Sequence, residues 1–141
     1  MAGLATTLGS GAMTNSIGDI TQAAVSLVVG SNTAEAHPVI ALRMKAAVRQ
    51  HGPRLILIDP RGIGLPQFAN QHLRPQPGTD VAVVNAMAHV ILAEGLENRP
   101  FIAERMEKVE GLADAVRSWS PERAEEISGV PAQSIRLAAR T

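Results

Sequence analysis

The segment Gly30 to Glu35, with the sequence GSNTAE, has the residue types of a nucleotide-binding site. It follows the apolar run VSLVV and precedes a helix-like pattern. A glycine at a strand end lets a phosphate approach the backbone, and the start of a helix offers free amides and a positive dipole end. Polar side chains stand where the later glycines of the motif G-x-G-x-x-G belong. The segment therefore predicts either a nucleotide other than NAD or merely the end of a strand.

Two further polar segments carry carboxylates suited to nucleotide recognition. Asp59 directly follows the apolar run LILI, and Asp80 ends the turn RPQPGTD. Guanine presents two adjacent N–H donors, which one carboxylate accepts together. Asp80 is the first candidate for this contact and Glu35 the second. Asp59 is a candidate ribose acceptor, although it follows Gly30 by about 29 positions, whereas about 20 is usual in dinucleotide folds.

These segments require a parallel sheet to bring them together. The patterns of apolar and turn residues predict strands at 25–30, 54–60 and 71–74, and helices at 36–50 and 80–94. A βαβ unit makes its strands parallel, and their carboxyl ends then meet at one crevice. We predict an α/β fold: a Rossmann-like parallel sheet flanked by helices, with a helical C-terminal third.

The predicted organisation is one domain over residues 1–141. Residues 1–24 form a glycine-rich loop and a short helix, 25–95 the βαβ core, and 96–141 the helical part. The first fifteen residues have the composition of a loop, and Ser120 caps a helix. One face of the helix at 80–94 is predicted to enter the core; it carries Val81, Val84, Met87, Ala88 and Ile91.

Composition excludes several classes of function. The chain has 141 residues, 13 basic and 13 acidic, and three aromatic residues, which disfavours nucleic-acid binding. Cysteine is absent, which removes disulfides and thiolate ligands. The four histidines fall at no metal-ligand spacing, and His37 has a structural hydrogen-bonding role as its simpler interpretation. No apolar run approaches the roughly 20 residues of a membrane span, and no secretory signal is recognisable, so we expect a cytoplasmic location.

Four runs in the sequence closely resemble one family. They are AGLATTLGSGAMTNSIGDI, VVGSNTAEAHPVI, IDPR and RPQPGTDVAVVNAMAHVI, and they resemble the alpha (catalytic) subunit of molybdenum or tungsten formate dehydrogenases, of the dimethyl sulfoxide reductase family. The resemblance covers the whole chain but only a slice of that longer subunit. It implies an α/β domain that holds molybdopterin guanine dinucleotide, in an enzyme that interconverts formate and carbon dioxide.

The cofactor-binding segments of the family correspond to three stretches of this chain. They are Val29, Gly30, Ser31, Asn32, Thr33, Ala34 and Glu35; Ile58, Asp59, Pro60 and Arg61; and Gly78, Thr79 and Asp80. Each also has a simpler interpretation, because Thr79 and Asp80 suit a helix cap, Asp59-Pro60 a turn, and Glu35 a first helical turn.

The chain departs from the family where catalysis is concerned. The family's metal-ligating cysteine or selenocysteine lies just before the AGLATT motif, and its iron–sulfur segment lies further upstream. We therefore expect an internal fragment that is inactive alone, binds no metal, and contains no catalytic residue. Expected partners are the remainder of the subunit, iron–sulfur or NAD-linked electron-transfer subunits, and formate. The glycine-rich run LGSGAMTNSIGD would lie near the metal or be a flexible loop.

Three other interpretations remain compatible with a βαβ unit. They are an NAD-binding Rossmann domain, the central domain of a thiamine-diphosphate enzyme, and a non-enzymatic nucleotide-sensing module. The first two do not explain GSNTAEAHP and RPQPGTD together. The third predicts tight binding of free GDP or GTP.

Overall fold

The computed structural model describes residues 2–9, 11–52, 54–62, 64–107 and 109–141. The strands are β1 (Val25–Val29), β2 (Arg54–Ile58) and β3 (Gln71–Leu73). The helices are α1 (Ala2–Leu8), α2 (Thr33–Ala36), α3 (Pro38–His51), α4 (Asp80–Ala93), α5 (Arg99–Arg105), α6 (Val109–Val116), α7 (Pro121–Ser128) and α8 (Ala132–Ala139). Two short 3-10 helices lie at Ile17–Thr21 and Pro66–Phe68.

The sheet has the order β1-β2-β3, and both pairings are parallel. Val29 pairs with Ile58, and Ile58 pairs with Leu73, so the carboxyl ends of all three strands lie level. The predicted α/β fold with a parallel sheet and a helical C-terminal third is confirmed. The three strands were also predicted within two residues of their observed bounds.

The central strand β2 is buried on both faces. Leu55 and Leu57 pack in a cluster with residues of β1 and α3. Ile56 and Ile58 pack in a second cluster, with residues of α4, α7 and α8. Because both faces are covered, the strand is a continuous apolar run rather than an alternating one.

The edge strand β1 is covered on one face only. Val28 is buried beside α3, whereas Leu27 is 47% exposed. Val25 and Val29 share the exposed face with Leu27, because alternate residues of a strand point the same way. The outer edge of β1 pairs with no other strand in the part of the chain that the structure describes.

The prediction of a loop over the first fifteen residues was wrong, because α1 occupies Ala2–Leu8. Gly9 closes this helix in a left-handed conformation, with φ of 74°, and its amide donates to the Ala5 carbonyl. A glycine directly after an alanine-containing run is a helix-end signal. The glycine-rich composition of the segment concealed that signal.

The helix predicted at 36–50 is observed as α3 (Pro38–His51), and a separate single turn of helix, α2 (Thr33–Ala36), precedes it. The break is at His37, whose φ of −140° and ψ of 67° are not helical. Pro38 explains the break, because a proline disfavours the helical conformation of the residue before it and is itself accommodated as the first residue of a helix. The helix ends at Gly52, in the left-handed conformation, as predicted; Pro53, the other predicted stop residue, lies outside the described residues.

The buried face predicted for α4 was largely wrong. The buried residues are Ala82, Val83, Ala86, Met87 and Val90. Of the predicted set only Met87 is buried, while Val81 is 61% exposed. The helix is apolar nearly all round, so periodicity alone could not identify its core face. Ser120, by contrast, caps α7 as predicted, since its hydroxyl accepts from the Arg123 amide at 3.2 Å.

Candidate functional site

A crevice of about 240 Å³ lies beyond the carboxyl ends of the three strands. Seven residues proposed from the sequence line it: Gly30, Ile58, Asp59, Pro60, Arg61, Gly78 and Asp80. Three further lining residues were missed, namely Pro75, Gln76 and Pro77. They belong to the same proline-rich turn as Gly78, and this turn was the signal that could have identified them.

The other proposed residues do not line the crevice. These are Val29, Ser31, Asn32, Thr33, Ala34, Glu35 and Thr79. The Thr33 side chain is buried, and its hydroxyl is hydrogen bonded to that of Ser31 at 3.0 Å. The Glu35 amide donates to the Asn32 carbonyl at 3.1 Å. This amide is therefore already used within the single turn of α2.

Gly30 brings β1 to the crevice. Its amide donates to the Ile58 carbonyl at 2.9 Å, which extends the pairing of β1 with β2 by one residue. Its φ of 58° then turns the chain away from the sheet. Apart from Gly30 and its two chain neighbours, no atom of the described residues lies within 4 Å of the position that a Cβ would occupy there, so the crevice is open at this point.

Asp59 and Arg61 form a bidentate ion pair directly after β2, in which two guanidinium nitrogens bond to the two carboxylate oxygens. The buried carboxylate accepts from the Arg61 amide at 2.8 Å, and from Nε and Nη2 of the guanidinium at 3.0 Å each. These bonds hold the pKa of Asp59 below its usual range. A carboxylate has about four acceptor positions, so a ribose hydroxyl bound by Asp59 would share the carboxylate with Arg61.

Two side chains, one in β3 and one directly after it, lie within hydrogen-bond distance of backbone carbonyls in the turn that follows β2. His72 Nε2 lies 2.8 Å from the Asp59 carbonyl oxygen, and Arg74 Nε donates to the Pro60 carbonyl at 3.2 Å. Neither residue was proposed from the sequence. The predicted parallel pairing of β2 with β3 was the available signal, because it places the end of β3 beside the turn that follows β2.

The turn before α4 brings Asp80 to the crevice. Pro77 and Gly78 occupy its centre, Gly78 has φ of 86°, and the Thr79 amide donates to the Gln76 carbonyl at 3.1 Å, as in a type II turn. The Thr79 hydroxyl donates to the same carbonyl at 2.7 Å and does not cap α4. The Asp80 carboxylate accepts no hydrogen bond from the described part of the chain, so it is available to a ligand.

A larger groove of about 440 Å³ lies at the opposite end of β1, beside the 3-10 helix Ile17–Thr21. Its one acidic side chain, Asp19, accepts from the Ser16 amide at 2.8 Å. We therefore place the candidate site in the smaller crevice, where a free carboxylate and a guanidinium lie together. Within the described residues, no group of three or more acidic or histidine side chains is arranged to hold a metal ion.

Replacing Asp59 with Asn is expected to lower the free energy of unfolding by about 1–3 kcal/mol at pH 7, because an amide nitrogen would then face the Arg61 donors. The pKa of Asp59 is lowered by folding, so its stabilising contribution is present above the ordinary pKa of 3.8 and is lost as the pH falls through the native pKa. The difference between wild type and variant should therefore shrink below about pH 4. Urea unfolding between pH 7 and pH 3 measures it.

The matched control is Asp114→Asn, which breaks the exposed ion pair with Arg117. Exposed pairs contribute about 0–1 kcal/mol, so this variant should follow the wild type across the range. An Asp59→Asn variant that also followed the wild type at every pH would contradict a stabilising role for the buried carboxylate.

Comparison with known proteins identifies the class of this chain. The sequence pattern of the molybdopterin oxidoreductase family matches residues 3–129. The chain therefore belongs to the molybdopterin oxidoreductase family, and the resemblance noted in the sequence is confirmed.

Its relatives include formate dehydrogenases. Over 140 residues the chain is 42% identical to the alpha subunit of F420-dependent formate dehydrogenase 2 from Methanococcus maripaludis, and 39% identical to formate dehydrogenase H from Escherichia coli. Each alignment covers 99% of this chain, but 21% and 19% of those proteins respectively. The chain thus spans about a fifth of the length of these relatives.

A solved structure shares the fold. Acetylene hydratase from Pelobacter acetylenicus superposes with a TM-score of 0.74 and 28% sequence identity, over 83% of this chain and 16% of that one. No helix in the described part of this chain is long and apolar enough to cross a membrane.

Proposed function

We propose that this chain is the part of a molybdenum or tungsten formate dehydrogenase alpha subunit that binds molybdopterin guanine dinucleotide. The parent enzyme would interconvert formate and carbon dioxide by two-electron transfer. The supporting observation is the crevice in which an unpaired carboxylate and a half-exposed guanidinium lie together. It occurs in a chain that is similar along 99% of its length to formate dehydrogenase alpha subunits.

The residues of the crevice fit a guanine nucleotide. The free carboxylate of Asp80 is the acceptor that the paired N–H donors of guanine require. Gly30 leaves room for a ligand to approach the backbone. The volume of about 240 Å³ is below the roughly 300 Å³ at which sites for whole small molecules begin. We therefore infer that the crevice takes one end of the dinucleotide and that the rest of the subunit surrounds the other end.

Arg61 is suited to the phosphates of the same ligand. A guanidinium has five N–H donors, and Nε and one Nη2 donor are used by Asp59. The remaining donors are accessible, because the side chain is 51% exposed. Asp59 restricts the orientation of the guanidinium, and a guanidinium that is held in place binds phosphate oxygens in pairs.

When bound, the metal and its sulfur ligands would supply the redox chemistry, while the protein binds and orients the cofactor. This chain has no cysteine, so a cysteine or selenocysteine ligand of the metal would come from another segment of the subunit, which would also carry an iron–sulfur cluster. We propose that the remainder of the subunit, iron–sulfur or NAD-linked electron-transfer subunits and formate are the partners, and that the location is cytoplasmic.

The proposal is tested by analysing the 141-residue chain and the intact subunit side by side. Metal analysis after gel filtration should find no molybdenum, tungsten or iron in the chain, because its sheet and helices form a core without a ligand. Acid hydrolysis of the intact subunit should release GMP together with molybdenum or tungsten. The subunit should also reduce an artificial electron acceptor when formate is added.

The outcomes separate the possible failures. Release of AMP without GMP would favour an NAD-type site and contradict the guanine assignment. Release of GMP with no formate-dependent reduction would support the proposed cofactor and contradict formate as the substrate. This second arm is needed because acetylene hydratase, named for a different reaction, shares the fold. Metal retained in stoichiometric amount by the isolated chain would contradict the expected division of roles between the segments.

A further inference from the structure

Gly64 lies so close to Ala34 that a side chain at position 64 could be accommodated only if one of the two segments shifted. It lies in the loop after β2 with φ of 83°. A Cβ at this position would lie 2.6 Å from the Ala34 Cβ and 3.6 Å from Asn32 Oδ1. Carbon atoms in contact are normally about 3.5–4.0 Å apart, so any side chain here would displace α2 or the loop.

The contact distinguishes Gly64 from the other left-handed glycines that the structure describes. A Cβ at four of them would meet nothing within 4 Å: Gly9, Gly30, Gly52 and Gly78. At Gly95 and Gly129 it would meet only atoms of the long side chains of Arg99 and Gln76, at 3.8 Å or more. These six glycines are explained by backbone conformation alone, whereas Gly64 also requires the absence of a side chain.

We propose that Gly64 is a positioning residue that sets the distance between the two loops on either side of the crevice. One loop runs from β1 through Gly30 to α2, where Ala34 receives the contact. The other runs from β2 through Arg61 to Gly64. The proposal rests on the proposed nucleotide site, because it assigns Gly64 the task of holding Gly30 and Arg61 at a spacing that fits the ligand.

Both sides of the contact pack against the same core cluster beside α3, which includes Leu65 and is contacted by Ala34. Leu65 is 2% exposed and lies in the core cluster beside α3, so it anchors the loop directly after Gly64. On the other side, α2 is one turn long, with Thr33 buried and with Glu35 and Ala36 exposed. Asn32 Oδ1 is buried, faces Gly64, and has no hydrogen-bond partner among the residues that the structure describes. The α2 side of the contact is therefore held by packing rather than by hydrogen bonds of Asn32 Oδ1.

The test compares Gly64→Ala with Gly52→Ala in the 141-residue chain. Gly52 has φ of 60° and an open Cβ position, so this control introduces the backbone strain without the clash. Amide NMR spectra of Gly64→Ala should show shifts concentrated at Asn32–His37. Gly52→Ala should shift the end of α3 and leave Asn32–His37 unchanged. The same pattern of shifts in both variants would overturn the proposal.

A second change tests whether the clash is the cause. Ala34→Gly removes the methyl group that a Cβ at position 64 would strike, so at Asn32–His37 the double variant should show the same shifts as the Ala34→Gly single variant. If Gly64→Ala alone is too unstable to study, the folded double variant reports the same contact. A double variant whose amides at Asn32–His37 remain displaced from those of Ala34→Gly would overturn the proposal.

In the intact subunit, Gly64→Ala should lose bound guanine nucleotide, and Ala34→Gly should restore it. Gly52→Ala should retain the nucleotide. Full retention in Gly64→Ala, despite displaced Asn32–His37 amides, would overturn the positioning role. A wild-type subunit that holds no guanine nucleotide would instead refute the proposed function, while the amide shifts would still test the contact itself.

Discussion

Asp80→Asn is expected to remove most of the guanine nucleotide from the intact subunit. The Asp80 carboxylate lies at the start of α4, lines the crevice and accepts no hydrogen bond from the described part of the chain. Both of its oxygens are therefore available to the N1–H and N2–H donors of guanine. An asparagine would replace one acceptor with a donor, and this donor would face a donor of the base.

The size of the effect follows from the two N–H donors that would face each other in Asp80→Asn, one from the asparagine and one from guanine, since neither has an acceptor. Leaving a buried hydrogen-bonding group unsatisfied costs about 1–3 kcal/mol, which corresponds to a loss of affinity of roughly 5- to 150-fold. Asp80→Ala should lose at least as much, because both acceptors are removed. Nucleotide released by acid and metal content, each measured per mole of subunit, report the occupancy.

A role limited to the helix start predicts a different result. Asparagine and aspartate are about equally good caps, so a capping Asp80 could be replaced by Asn with almost no effect on stability or nucleotide content. Glu110→Gln is the matched control, because it removes an acidic side chain from the first turn of α6, outside the crevice. Full nucleotide occupancy in Asp80→Asn would reject the guanine assignment.

Leu57→Ala is expected to destabilise the isolated chain by about 2–5 kcal/mol, because it leaves a cavity in the central strand. Leu57 is 2% exposed and packs with Val28, Ala41 and Leu65. The free energy of unfolding of a typical domain is about 5–15 kcal/mol, so this single change would unfold a measurable fraction of the molecules. Urea unfolding followed by circular dichroism gives the free energy.

The control for this prediction is Leu27→Ala. It deletes the same atoms from the neighbouring strand β1, where the leucine is 47% exposed and faces away from α3. We expect the free energy of unfolding to fall by less than about 1 kcal/mol, because little apolar surface returns to water. Equal losses for the two variants would mean that β2 is not the centre of the core.

The features predicted correctly were those encoded locally. β2 was predictable because RLILI is a short apolar run between turn residues, and a strand buried on both faces has that composition. The end of α3 was predictable from Gly52, which adopts the left-handed conformation that helix ends favour. Parallel pairing then predicted that segments following different strands would meet at one edge of the sheet.

The features that could not be predicted depend on packing between distant segments. The core face of α4 is set by α6, α7 and α8, which surround a helix that is apolar on most sides. The separation of α2 from α3 at His37 did have a local signal in Pro38, because a proline disfavours a helical conformation in the residue before it. The pairing of Asp59 with Arg61 required the geometry of the turn, since two residues that close in sequence face each other only in particular backbone conformations.

One face of β1 is exposed, and its outer edge pairs with no strand in the described part of the chain, which favours association between chains in concentrated solution. Edge strands in natural proteins usually carry charges, prolines or bulges that prevent pairing with another molecule. β1 carries none of these, since its sequence is VSLVV. Uncharged segments of high β-propensity are prone to stack into cross-β assemblies. The strand that brings Gly30 to the crevice is therefore the segment at which aggregation of the isolated chain is expected to begin.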